Sequence, residues 1–146
     1  MRVDLVISGL PAGVRSLEHT ADLGLEVVGG SLEHVFALAA AGMFAVFLAP
    51  PARNGDARVE IHVAADNREE LLVAWLEDLI YRFDGEGLVP IAVEVEAVAE
   101  TTLTGAMVVG KGRGRSTGPA IKAVTRHGLT LEPVSAGWRA VIYFDV

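Results

Sequence analysis

Cysteine is missing from the sequence, which removes disulfides, thiolate metal sites and thiol nucleophiles together and leaves carboxylate, imidazole, lysine and hydroxyl groups as the available chemistry. Any metal would therefore be held by oxygen or imidazole. A run of about twenty apolar residues, the length a membrane span requires, is also missing. The longest candidate, Val35 to Pro51, contains Gly42 and ends in a proline pair. No membrane span is expected. Met1 to Gly13 has one Arg and a short apolar piece but no long apolar region followed by a small-residue cleavage site. A signal peptide is thus not expected, and a cytoplasmic location follows. Positive charge is in deficit, with 12 Lys and Arg against 19 Asp and Glu and a net charge of −7. The field of the whole molecule opposes nonspecific contact with phosphate backbones, so direct RNA binding would need a local basic patch. His34, His62 and His127 have no partner at a zinc-ligand spacing such as HExxH and read as surface or strand residues. No nucleophile-elbow sequence is present, which leaves covalent catalysis without a candidate.

What is present is apolar and periodic. Hydrophobic residues make up 51% of the 146 positions and mean hydropathy is +0.42, which describes one compact domain over 1–146 burying about two-thirds of its unfolded surface. Ser31 precedes Leu32, Val35, Phe36, Leu38, Ala39, Met43 and Phe44. The spacing of three and four predicts a helix from about Leu32 to Phe47 with a Ser N-cap, ended by Pro50-Pro51. Asp66 with Glu69 three residues on reads as a capping-box variant, and the stripe Leu71, Leu72, Trp75, Leu76, Leu79, Ile80 and Phe83 predicts a second helix to about Asp84, capped by Gly85. Each helix is expected to bury one face. Alternation rich in Val, Ile and Thr predicts strands at 58–63, 91–98, 102–109, 121–125, 129–131 and 138–144. Short links in the C-terminal half favour hairpins, so the expected fold class is α+β, two amphipathic helices packed on a mostly antiparallel β-sheet.

Two polar clusters stand out. Leu17-Glu18-His19-Thr20-Ala21-Asp22-Leu23-Gly24 sets acids in an apolar stretch, and the chain closes on Tyr143-Phe144-Asp145-Val146. If the two meet, Asp22, Asp145 and the carboxylate of Val146 bring up to three anionic groups together, a cluster that repels itself unless a cation or proton intervenes. From spacing alone a second reading stands beside it: Asp22 ends a strand or caps a turn, and Asp145 is a solvated terminal residue. His19 and Thr20 could orient a carboxylate or a water, though three residues apart in an extended strand His19 would face away from Asp22. Lys122, flanked by apolar neighbours in a strand pattern, reads either as a solvent-facing lysine or as a cation placed near the acids. Between two strands lies Gly110-Lys-Gly-Arg-Gly-Arg-Ser-Thr-Gly-Pro119, a glycine-rich basic loop. There Lys111, Arg113 and Arg115 could contact RNA or an acidic partner, or simply be solvated. Gly105 to Lys111 nearly matches a phosphate-binding loop, but Gly112 stands where Ser or Thr is needed and the intervening residues belong to a strand. Nucleotide hydrolysis is rejected on that motif. Glu18 and Asp22 could in principle divide acid and base roles, but nothing in the sequence raises either pKa.

The segments LEHTADLGLEVVGGSLEHVFALAAAGMF, WLEDLIYRFDGEGLV, IKAVTRHGL and GWRAVIYFDV, taken together and in order, resemble the archease family. The resemblance runs from Leu17 to the end and rests on HTAD-x-G, IKAVT and the FD-V terminus. It implies an accessory protein, not itself an enzyme, that activates an RtcB-type RNA ligase of tRNA splicing and repair by promoting its guanylylation and multiple turnover. By motif, Asp22, Asp145 and Val146 would bind a divalent cation, with Ca²⁺ the ion expected to be seen and Mg²⁺ or Mn²⁺ as others. His19 and Lys122 would support them. The ligase would be the partner, with RNA reached indirectly through it, and neither a membrane nor a small-molecule substrate is implied. The sequence departs from the family in its Gly- and Arg-rich loop 110–119, and Arg126 replaces a usual aromatic. Residues 1–16 lie outside the resemblance, as a short extra strand or an extension. Two rivals from other classes are an RNA-binding or methyltransferase-assisting chaperone using the basic loop, and a metal-dependent hydrolase.

Overall fold

A computed structural model describes residues 1–5, 9–18, 23–48, 57–110 and 121–146, with side chains at 18, 47 and 48 excepted. The strands are β1 (Arg2–Asp4), β2 (Val14–Glu18), β3 (Leu23–Gly29), β4 (Ala57–Ala64), β5 (Val89–Val98), β6 (Thr102–Gly110), β7 (Ala123–Val134) and β8 (Gly137–Asp145). The helices are α1 (Leu32–Met43), which continues as a π-helical turn over Phe44–Leu48, and α2 (Arg68–Asp84).

The single expected sheet is in fact two four-stranded sheets, ordered β1-β5-β6-β4 and β2-β3-β8-β7. Every described pairing is antiparallel. The α+β class therefore holds, with an added sheet. The cause is β2 and β3, which the alternation reading passed over: Val14–Glu18 and Leu23–Gly29 pair with one another, and β3 pairs with β8. The N-terminal residues also supply β1, whose Val3 packs against the core.

Helix α1 contacts β3, β2 and β8 of one sheet and β5 and β1 of the other. It does not bury one face, as expected, but nearly all of its circumference, since Leu32 and every residue from Val35 to Met43 are buried. The small side chains of Ala37, Ala39, Ala40 and Ala41 and the bare Gly42 allow both layers to approach it. Helix α2 contacts β4 and β6 of one sheet and β7 of the other, and it is amphipathic in the expected way: Leu71, Leu72, Trp75, Leu76, Leu79 and Phe83 are buried. The indole of Trp75, with no exposure, donates to the Phe36 carbonyl at 3.0 Å and ties the two helices together.

The helix caps bear out two expectations and correct one. Ser31 caps α1 as predicted, accepting from the His34 amide. On α2 the capping residue is Asn67, whose Oδ1 accepts from the Glu70 amide at 2.9 Å, and not Asp66. Asn67 is extended (φ −155°) immediately before Arg68, as an N-cap must be. At the other end Gly85 is the C-cap as predicted, its amide donating to the Tyr81 carbonyl at 2.6 Å; it is right-handed (φ −82°), and the left-handed residue is Gly87 (φ 70°).

Candidate functional site

The ends of three strands meet where β8 finishes. Leu23, the first residue of β3, pairs with Phe144, and Ala123, the first of β7, pairs with Asp145. The Lys122 amide donates to the Asp145 carbonyl at 2.7 Å. Ile121 and Lys122 thus precede the strand in which they were expected. Buried Ile121, Val124 and Phe144 anchor the convergence from beneath, while Asp145 and the Lys122 side chain are exposed and Val146 is half-buried. The sequence pattern placed these segments by motif alone; pairing now puts IKAVT and FD-V side by side, with the strand that follows HTAD on the other side of FD-V.

Asp22 and His19 lie outside the described residues, as do Lys111, Arg113 and Arg115. Among the described residues no group of three His, Asp or Glu side chains is placed to hold a metal. The exposed carboxylate of Asp145 has no ion-pair partner among the described residues, and as a hard oxygen donor it suits Ca²⁺, Mg²⁺ or Mn²⁺. The histidines outside the motif stand as expected. His62 on β4 and His127 on β7 are exposed, and His34 is half-buried on α1.

Side chains alternate along β8, so Ala140, Ile142 and Phe144 fill the core while Arg139, Tyr143 and Asp145 share the outer face. One part of this face is charged. The Arg139 guanidinium donates to Glu26 at 2.7 Å and to Glu132 at 3.1 Å, and Arg15 lies 3.0 Å from the other oxygen of Glu26. The hydrogen bond from Arg139, with Arg15 adding to it, holds the Glu26 carboxyl below the usual range against a smaller opposing effect of burial.

Next along the face is Tyr143, which sequence reading missed. A Cβ at Gly24 would lie 2.6 and 2.7 Å from Cδ1 and Cε1 of its ring, and one at Gly128 would lie 2.9 and 3.0 Å from Cε2 and Cδ2. Each pair of distances is nearly equal. The ring therefore stands between the two glycines, one edge toward each. Gly128 also has φ 76°, a conformation favouring glycine, at the register break between Thr125 and Thr130. The available signal was the glycine of HTAD-x-G, which is Gly24.

Arg126, which departs from the family pattern, makes a two-toothed ion pair with Glu70 of α2 at 2.6 and 2.7 Å. It clamps β7 onto the helix and lowers the Glu70 pKa. A hollow of about 330 Å³ lined by Asn67, Arg68, Leu131 and Trp138 lies at the start of α2. Trp138 is seven residues up β8 from Asp145, about 23 Å at the strand rise. The hollow is therefore remote from the convergence.

A profile of the Archease protein family matches residues 15–146. The chain belongs to this family. The archease of Methanosarcina mazei is 33% identical over 136 residues, covering 89% of this chain and 93% of that one. The archease of Pyrococcus furiosus is 31% identical over 139 residues, covering 88% and 95%. Among solved structures, protein 1598 of Methanobacterium thermoautotrophicum superposes with a TM-score of 0.69 at 30% identity, covering 92% of this chain and 99% of its own. An archease from Thermotoga maritima, described as a possible chaperone, shares the fold with a TM-score of 0.62 at 20% identity, covering 90% and 96%. The archease match thus starts inside β2, and β1 lies ahead of it.

Proposed function

We propose that this archease family member is an accessory factor that activates an RtcB-type RNA ligase, promoting its guanylylation and multiple turnover, and that it does not itself join RNA. Asp22, Asp145 and the carboxylate of Val146 are the proposed ligands of a divalent cation, with His19 and Lys122 in support. Calcium is the ion expected in crystals, and magnesium or manganese would serve the same oxygen donors. The observation that carries the reading is the convergence itself. Leu23, which follows Asp22 in the chain, is paired beside Phe144, and Lys122 is hydrogen-bonded to Asp145. A cation there would neutralise the carboxylates and polarise phosphate oxygens of the partner's nucleotide. The chain's own part is to present Asp145 from a strand end fixed by the sheet, its backbone carbonyl accepting from the Lys122 amide.

The deciding experiment is RNA joining by the cognate ligase with GTP and Mn²⁺, under single and multiple turnover, with and without catalytic amounts of this protein. The Asp22→Ala and Asp145→Asn forms should lose the stimulation while keeping the wild-type circular dichroism spectrum. Full stimulation by both variants defeats the carboxylate reading. No stimulation by wild type turns attention to an RNA-binding or methyltransferase-assisting role for Lys111, Arg113 and Arg115, whose RNA binding would weaken steeply with salt. Phosphoester turnover by the protein alone would point instead to a hydrolase.

A further inference from the structure

From the hollow at the start of α2 we infer a docking site for a basic peptide segment with an apolar anchor, carried by a protein partner. The hollow, about 330 Å³, lies where the end of the β7–β8 hairpin meets the first turn of α2 and the turn between β5 and β6. Three features make different demands on an occupant. Leu131 and Trp138 give it an apolar wall that is only half-buried, so covering that wall is favourable. Arg68 lines the hollow as well, and its Nε is shielded from solvent with no hydrogen-bond partner among the described residues. A buried donor of this kind calls for an acceptor. Asp66, Glu69 and Glu100 complete an exposed acidic rim, and none of them has an ion-pair partner among the described residues. A free anion would meet Arg68 but be repelled by three carboxylates, and a simple cation would leave the Arg68 donor unmet. An extended peptide meets all three demands, with an apolar side chain against Leu131 and Trp138, a backbone carbonyl accepting from Arg68, and flanking Lys or Arg side chains toward the acids. Room for a chain exists beyond the first hollow. A second one of about 560 Å³ shares Asp66 and Asn67 with it and continues beside α2 to Glu77, past Arg126, whose charge is already matched by Glu70. The continuation is therefore also net negative, which suits a basic protein segment and opposes a phosphate backbone. This inference does not depend on Asp145 holding a cation or on the ligase reading.

The test titrates the full chain, in a chelator and without ligase, with the end-capped peptide Lys-Arg-Leu-Lys-Arg and follows the indole N–H resonances of the two tryptophans. Trp75, with no exposure and bonded to the Phe36 carbonyl, is the internal reference. The Trp138 resonance should move on binding while that of Trp75 stays, and the affinity should fall as salt rises. Replacing the leucine of the peptide by glycine should weaken binding about tenfold. Glu69→Gln combined with Glu100→Gln, both exposed changes that leave the core untouched, should weaken it about fivefold. Arg68→Ala separates a seated peptide from mere charge attraction. An acid patch alone would hold a cationic peptide more tightly once a like charge is removed, whereas a carbonyl seated on Arg68 loses its donor and the peptide binds about tenfold more weakly. A Trp138 resonance unmoved at millimolar peptide, tighter binding by folded Arg68→Ala, or equal binding of the leucine and glycine peptides overturns the proposal. An equal response of Trp138 to free arginine or to a pentaribonucleotide overturns it too.

Discussion

Replacing Gly24 by alanine tests the seat of Tyr143 directly. The new methyl would sit 2.6 Å from Cδ1 and 2.7 Å from Cε1 of the ring, and 3.1 Å from the Ile142 carbonyl. Ordinary carbon contacts begin near 3.5 Å, so the ring edge must retreat by about 0.8 Å or leave its seat. Overpacking of this kind costs about 1–3 kcal/mol, and a half-buried ring belongs toward the lower end. Against that, Gly→Ala in a strand removes backbone freedom from the unfolded chain and stabilises by about 0.4–1 kcal/mol where the conformation is compatible. Gly24 has no left-handed φ to forbid the change. Gly24→Ala alone should thus destabilise by about 1 kcal/mol. In a Tyr143→Ala background, where the clash is gone, the same change should be neutral or mildly stabilising. The coupling between the two sites is then about 1–2 kcal/mol, well above the few tenths expected of independent positions. Urea denaturation of the four proteins, with a common m value, measures it from the midpoints. A Gly24→Ala effect that is the same in both backgrounds refutes the steric account of this motif glycine.

Two further expectations follow from caps and ion pairs. Asn67→Ala should cost about 1 kcal/mol through loss of the N-cap of α2, whereas Asp66→Ala should stay within about 0.5 kcal/mol. Urea midpoints that reverse this order would restore Asp66 as the cap. Glu26, held below the usual carboxyl range chiefly by the hydrogen bond from Arg139, should titrate below an ordinary Glu when followed by carboxyl-carbon NMR. Because its pKa is lower folded than unfolded, its stabilising contribution is complete above the unfolded value and is lost as pH falls through the folded one. Arg139→Ala should return Glu26 toward an ordinary pKa and flatten that part of the acid limb; an unchanged Glu26 titration would show that Arg139 is not the cause.

Most helices and strands were legible because their signals are local. The Leu71 to Phe83 stripe and the alternation of 102–109 read as elements, and they are elements. The second sheet was hidden because β3, Leu23–Gly29, has the burial pattern of a strand covered on one side by α1 and half-covered on the other. Its glycines at 24 and 29 weaken the β signal. The wholly buried surface of α1 was hidden for a related reason. Alanine and glycine mark neither face of an amphipathic helix, so Ala37 to Gly42 reads as a neutral stretch although it lies between two sheets. Asp66 and Asn67 are both good capping residues at adjacent positions, and only the phase of the first turn distinguishes them.

The site was legible to the extent that it consists of motifs, and illegible where it consists of space. HTAD, IKAVT and FD-V could be written down from the sequence, and pairing of Leu23 with Phe144 and of Ala123 with Asp145 sets β3, which follows HTAD, and β7 on either side of the FD-V end of β8. Nothing in the sequence says that Gly24 and Gly128, more than a hundred residues apart, border opposite edges of one tyrosine ring. The glycine of HTAD-x-G reads locally as a weak point in a strand, but in the folded chain it is the absence of a side chain that lets the edge of the Tyr143 ring approach it. Gly24 therefore belongs with the outer face and not with the carboxylates that precede it. A change at Gly24 should displace the Tyr143 ring while leaving the backbone pairing around Asp145 in place, and a change of the exposed Asp145 side chain should leave the ring where it is.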